Sequence, residues 1–176
     1  MTDVQDPRLV AGVPWPVIQG DDDAVIYFED RPWVEMRDLG YTGSFIKVVS
    51  VDRENGEVIF LYDMAPNTQF PIHEHKCRVI AYTISGAWWY DSRESLVEGT
   101  TIIEGIGSTH IPQSGEEGFR AFVVLLTKPG QKVFLRRQHP KTLDVLELDY
   151  DYFERLMNLT DGPEVHQVKG WPTDHL

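Results

Sequence analysis

The sequence predicts an all-β, single-domain protein with a short helix near its C-terminus. Three observations carry this prediction. Short runs rich in β-branched and aromatic residues follow one another closely between residues 24 and 137, turn-forming residues separate them, and one amphipathic run comes after residue 148. A chain of 176 residues suits one well-buried core, since a domain of about 150 residues buries roughly 70% of the surface its unfolded chain exposes. Hydrophobic residues make up 41% of the chain and aromatics 11%, enough for a core without disulfides. The single cysteine, Cys77, excludes an intramolecular disulfide framework and a Cys-rich zinc module.

Taken in order, residues 1–20 read as an extended N-terminal arm around Pro14-Trp15-Pro16, residues 21–141 as the β domain, and residues 142–176 as a helix and tail packing on it. The expected strands are Ala24–Phe28, Ser44–Asp52, Glu57–Met64, Arg78–Ile84, Ala87–Asp91, Thr101–Glu104, Phe119–Thr127 and Gln131–Arg137. Their breaks hold turn chemistry: Glu54-Asn55-Gly56, Ala65-Pro66-Asn67, Ser85-Gly86 and Pro129-Gly130. Many short strands at such spacing point to a sandwich, jelly roll or barrel rather than alternating βα units. The helix is expected from Asp149, because Tyr152, Phe153 and Leu156 fall on one face and acidic residues stand at its start. Trp15 and Trp171 are expected to dock the two ends on the β domain or on a partner subunit.

Charge excludes two classes of partner. The net charge is −12, which argues against nucleic-acid binding, where Lys and Arg displace counterions, and against polybasic membrane attachment. No apolar run approaches the ~20 residues of a membrane span, and the first residues lack the pattern of a signal peptide. A cytoplasmic location is therefore expected. Residues 1–30 and 142–176 each carry a balance of −6, while the segment between them is neutral, so the acidity belongs to the two ends and not to the β domain.

The chemistry is concentrated in two segments. In Pro71-Ile-His73-Glu-His75 the histidines are two apart, so on a strand both imidazoles face one way and Glu74 the other. In Gly99-Thr-Thr-Ile-Ile-Glu104-Gly105-Ile-Gly107-Ser-Thr-His110 a Gly-x-Gly turn precedes a third histidine. An isolated His-x-His pair is more often a surface or core feature than a ligand set, and His139, His166 and His175 lie outside any pattern. Three imidazoles on a β scaffold nevertheless suit a divalent first-row metal. Lookalike motifs fail: the Gly-x-Gly lacks the third glycine and following helix of a dinucleotide loop, and His73-Glu74-His75 is not a helical zinc-protease motif.

In these segments the chain resembles the cupins, whose motifs are G-x5-H-x-H-x3-4-E-x6-G and G-x5-P-x-G-x2-H-x3-N. His73, His75 and Gly86 match the first; Gly99, Gly107 and His110 match the second. Gly105 stands where the family usually has Pro, Ser114 where it has Asn, and Val79 where it has its glutamate ligand. The resemblance implies a jelly-roll β-barrel with His73, His75 and His110 holding a metal, and a homodimer or homotetramer. Without the glutamate, the ion keeps its full charge and open positions, which suits an anionic chelating substrate and O2. The three-histidine pattern is most similar to the acetylacetone and 2,4′-dihydroxyacetophenone dioxygenases, which also carry an aromatic-rich strand, here Trp88-Trp89-Tyr90, and a glutamate before the third histidine, here Glu104. The anti-sigma-factor sensor cupins share this branch but follow a sigma-binding domain not expected in this chain.

The expected function is Fe(II)-dependent, O2-dependent C–C cleavage of a small diketone or hydroxyketone, with Zn, Ni, Cu and Mn as metals the same imidazoles accept. Glu104 is the candidate catalytic residue, orienting a ligand imidazole or acting as a base; a carboxylate at a solvated strand end is its plain alternative. Glu94 and Glu98 are lesser candidates for a fourth ligand. For substrate, Gln69 is placed on the metal side by strand parity, Trp88 and Tyr90 share a face, and Arg120 is the candidate buried cation. Cys77 reads as a small buried hydrophobe. The rival functions are a metal-dependent isomerase, lyase or hydrolase on the same scaffold, and a non-catalytic metal or ligand sensor.

Overall fold

The computed structural model describes residues 26–90, 95–139 and 141–176. Its strands are β1 (Trp33–Glu35), β2 (Ser44–Asp52), β3 (Glu57–Met64), β4 (His73–His75), β5 (Arg78–Tyr90), β6 (Leu96–Val97), β7 (Thr101–Glu104), β8 (Thr109–His110), β9 (Pro112–Leu126), β10 (Val133–Gln138) and β11 (Val145–Asp149); after helix α1 (Tyr150–Asn158) comes β12 (Val165–His166). One sheet runs β12-β1-β2-β3-β9-β5-β6, with β7 also on β5; the other runs β11-β10-β4-β8. Every named pairing is antiparallel, and the apolar core lies between the sheets. This is the β-sandwich the strand pattern anticipates.

Local chemistry explains the best-defined elements. β2 and β3 carry β-branched and aromatic residues, and the turn between them is built by Asp52, whose Oδ1 accepts the N–H groups of Glu54 and Asn55 at 2.9 and 2.8 Å. The Asp149 carboxylate caps α1 by accepting the Tyr152 N–H at 2.9 Å. The helix buries Tyr150, Tyr152, Phe153 and Leu156, and Phe153 stacks on Phe60 with ring centroids 6.0 Å apart. Further along, the Trp171 ring lies 5.2 Å from Trp33, and Thr173 donates to Asp63 through both its N–H and its hydroxyl. The C-terminal segment thereby packs on the outer face of β3.

Four expectations need correction or fall away. Phe28–Asp30 is a 3-10 turn, and Ile26 and Tyr27 are exposed and pair with no strand, so the strand expected over Ala24–Phe28 is absent there. Ala24 and Val25 lie outside the described residues, as does the arm at 1–20 with Trp15. The strands expected at Arg78–Ile84 and Ala87–Asp91 are one strand, β5, with irregularities in its β9 register at Thr83/Ser85 and Gly86/Trp88. Gly86 therefore bends the strand instead of ending it. Its φ is +77°, and a Cβ there would come within 2.1 Å of the Gly118 carbonyl. β9 starts at Pro112, well before Phe119, because Pro112–Ser114 pair with Trp88–Tyr90 and the polar run that follows continues the strand.

Candidate metal centre

Pairing brings the three histidines to one place. β4 directs His73 and His75 inward, at 6% and 3% exposure, with Glu74 on the other side. β4 also pairs with β8, with His73 directly opposite His110. The turn ahead of β8 is tied to the same strand: the Gly107 N–H donates to the His75 carbonyl at 2.7 Å, and the His75 N–H to the Ser108 carbonyl at 2.8 Å. Gly107 has φ +88°, the left-handed conformation that the Gly-x-Gly pattern anticipates. Two motif departures are also explained. Asn67 stands where the first motif opens with Gly and has φ +50°, a conformation Asn tolerates. Ser114, in the place of the closing Asn, accepts the Thr68 N–H at 2.8 Å and donates to the Ala65 carbonyl at 2.6 Å.

The three Nε2 atoms converge. The His75 nitrogen lies 3.1 Å from that of His73 and 2.9 Å from that of His110. Bonds of about 2.0–2.1 Å to one ion place two nitrogens about 2.9 Å apart at a right angle and about 3.4 Å apart in a tetrahedron. The two separations are short enough for one ion to bind these nitrogens together. Protonation does not compete, because burial, reinforced by the other two imidazoles, holds His73 well below its ordinary value, and burial followed by His110 lowers His75 to about 3. The Nδ1 of His73 faces the Pro71 carbonyl at 3.1 Å, which sets the tautomer with a free lone pair on Nε2. The donor set fits a divalent metal.

Glu104, at the end of β7, is buried to 6% exposure, so it is not a carboxylate at a solvated strand end. Its Oε2 lies 3.3 Å from the His75 Nε2 and its Oε1 3.4 Å from the His110 Nε2. It therefore approaches the converging nitrogens themselves, not the Nδ1 atoms that a group orienting the rings from behind would contact. Across the β5–β7 ladder Glu104 is the direct partner of Val79, the position where the cupin motif has its glutamate. The adjacent strand thus places a buried carboxylate directly across from that position. Burial pushes Glu104 up to about 7, against the hydrogen bond it accepts from Tyr90.

His73, His75 and Glu104 line a cavity of about 90 Å³ walled mainly by aromatic and aliphatic side chains, room for several waters or one small ligand. Trp88 and Tyr90 are both on its wall. The Tyr90 ring stacks on His110 at 3.9 Å, and Trp88 stacks on Phe119 at 5.0 Å. Two expected substrate residues are not brought here. Gln69 is exposed and bridges Gln113; Pro71 intervenes and β4 begins only at His73, so strand parity does not extend back to Gln69. Phe70 faces the cavity in its place, its ring 5.5 Å from that of His73. Arg120 is on the outer face, paired with Asp63 and Asp174 and 5.0 Å from the centre of the Trp171 ring. The cation on the cavity wall is Arg137, for which the inward parity of β10 was the available signal. Glu98 is exposed, and Glu94 lies outside the described residues. Cys77 is fully buried, with its thiol pushed up to about 12 by burial.

A sandwich of this topology with convergent histidines in a lined cavity defines a cupin. A sequence profile of the ChrR cupin-like domain matches residues 21–129, and the chain belongs to that family. Among solved structures, it is similar to an RmlC-like cupin protein from Ralstonia eutropha JMP134 (TM-score 0.64, 21% identity, covering 77% of this chain and 85% of that one). It is also similar to an acetylacetone dioxygenase from Acinetobacter johnsonii (TM-score 0.63, 9% identity, 80% and 93%), and to the polyketide cyclase RemF from Streptomyces resistomycificus (TM-score 0.53, 20% identity, 75% and 91%). At these identities the likeness is one of fold. Curated proteins yield no sequence match. No described helix is long and apolar enough to cross a membrane.

Proposed function

We propose that this cupin is a metal-dependent dioxygenase that cleaves a C–C bond of a small diketone or hydroxyketone, with Fe(II) on His73, His75 and His110. The observation that carries the reading is three imidazoles converging beside a small, mostly apolar cavity, with the motif's usual glutamate replaced by Val79. An iron ion on these nitrogens supplies Lewis acidity and redox chemistry toward O2. Glu104, beside those nitrogens and held by the Tyr90 hydroxyl, accepts the proton from the carbon next to the substrate carbonyl. Trp88, Phe70 and Phe119 exclude water around it. Similarity in fold to an acetylacetone dioxygenase supports the reaction class.

One observation favours a second reading. Because Glu104 approaches the nitrogen atoms, it is also placed to complete the coordination of an ion, as in a site that senses a metal instead of catalysing a reaction. Anaerobic reconstitution with Fe(II), followed by oxygen-electrode assays against diketones and hydroxyacetophenones in both neutral and carboxylated forms, separates the two. The enzyme reading expects substrate-dependent O2 uptake that is abolished, together with the bound metal, in His110→Ala. Bound metal without O2 uptake on any of these substrates would refute it in favour of the sensor.

A further inference from the structure

The cavity wall holds a cation that the proposed chemistry does not use. Arg137 is 2% exposed and is the one guanidinium or ammonium among the described residues lining the cavity. Alternation along β10 turns Leu135 and Arg137 inward and leaves Arg136 exposed. In the β4–β10 ladder Arg137 is the direct partner of His73, so the two side chains leave neighbouring Cβ atoms on one face, roughly 4.5–5.5 Å apart. The cation therefore starts beside the metal-site imidazoles.

Its hydrogen bonding is incomplete. Nη1 donates to Asp38 Oδ2 at 3.2 Å, and the guanidinium carbon lies 4.1 Å from the centre of the Phe70 ring. Nη2 meets the Met36 sulfur at 3.8 Å, a weak acceptor. Nε is buried with no hydrogen-bond partner. Asp38 is shared with the Tyr152 hydroxyl, which also donates to its Oδ2. A guanidinium serving only as a structural ion pair would leave a costly buried donor unmet, whereas the Nε and Nη2 edge is the fork that takes a carboxylate through two parallel hydrogen bonds.

We infer that Arg137 receives a carboxylate of the substrate, so that the cavity selects small keto acids over neutral diketones of the same size. The substrate then spans the site, its two chelating oxygens at the histidine end and its carboxylate on the guanidinium. This inference rests on the metal-dependent reading above and names the substrate class for it.

The test uses protein reconstituted with Ni(II), which keeps O2 chemistry out of the readout. Metal content is measured first, and pentane-2,4-dione and 2,4-dioxopentanoate are then titrated calorimetrically. Wild-type protein is expected to bind 2,4-dioxopentanoate at least ten-fold more tightly than the dione. That ratio should fall to near one in Arg137→Gln and lie between the two in Arg137→Lys, which keeps the charge without the fork. Loaded wild-type protein that binds both ligands equally, or prefers the dione, overturns the inference and leaves the metal site standing. A preference that survives in Arg137→Gln overturns it too, since the metal alone would then be choosing. Protein that takes up no metal refutes the underlying reading instead, and the metal measurement tells these failures apart. Should Arg137→Gln not fold, the wild-type ratio and the Lys variant still decide.

Discussion

Replacing Glu104 by Gln tests whether the carboxylate on β7 serves the metal. Gln keeps the shape and can still accept the Tyr90 hydrogen bond, so the variant removes charge and little else. Glu104 Oε2 is 3.3 Å from the His75 Nε2, and an ion about 2.1 Å from that nitrogen lies within about 5.4 Å of the oxygen. At that limit a divalent ion and a carboxylate attract by about 6 kcal/mol at an effective dielectric of 20, and by about 1.5 kcal/mol at that of water. Desolvation offsets part of this, and losing a group of this kind costs about 10- to 100-fold in metal affinity, roughly 1.4–2.7 kcal/mol. Competition with a chromogenic chelator under anaerobic conditions measures it. The double variant Val79→Glu, Glu104→Val moves the carboxylate across one strand pair, to the position the cupin motif uses, and should recover at least part of the lost affinity. A Glu104→Gln protein that holds Fe(II) and Zn(II) within two-fold of wild type would refute the reasoning.

Three further outcomes follow from the same geometry. His110→Ala should lower metal affinity by on the order of 100-fold or more, beyond the range for supporting groups, while its circular dichroism spectrum stays that of wild type, because the residue sits at the end of a two-residue strand; undiminished metal content would exclude it as a ligand. Gly86→Ala should cost roughly 2–4 kcal/mol in a urea titration, since the φ of +77° and the contact with Gly118 both oppose a side chain; an unchanged midpoint would show that the bend in β5 is not needed. Burial raises the Asp63 carboxyl above its ordinary value, against the hydrogen bonds from Thr173 and the charge of Arg120. The folded protein therefore keeps this proton where the unfolded chain has released it, and stability falls as pH rises from about 4 through the raised value. Asp63→Asn should lack that decline, and a stability difference from wild type that does not change with pH across the window would contradict it.

Features that depend on local pattern were legible in the sequence. β2, β3 and β7 have the expected limits, since each is a β-rich run between turn residues. The helix begins one residue after its expected start because Asp149 is its cap. Ser85-Gly86 reads as a break because a positive-φ glycine looks the same in a turn and in a bulge; only the partner strand, with the Gly118 carbonyl against it, distinguishes them. The parity that places Gln69 on the metal side holds only along continuous strand, and Pro71 interrupts it. β1 and β12 are three and two residues long and pair across more than a hundred residues, too short for periodicity to register.

The metal centre divides along the same line. His73 and His75 share a face by strand geometry alone, but their meeting with His110 depends on the β4–β8 pairing, which spacing suggests only through the resemblance to a known motif. The roles proposed for Glu104 and Arg137 depend wholly on register. Glu104 matters because it is opposite Val79, and Arg137 because it is opposite His73. In both cases a site position that looks vacant, or a charge that looks peripheral along one strand, is completed from the neighbouring one. A cupin can therefore lose its motif glutamate to Val79 and still present a buried carboxylate to the same three imidazoles, because the ladder holds the two positions side by side.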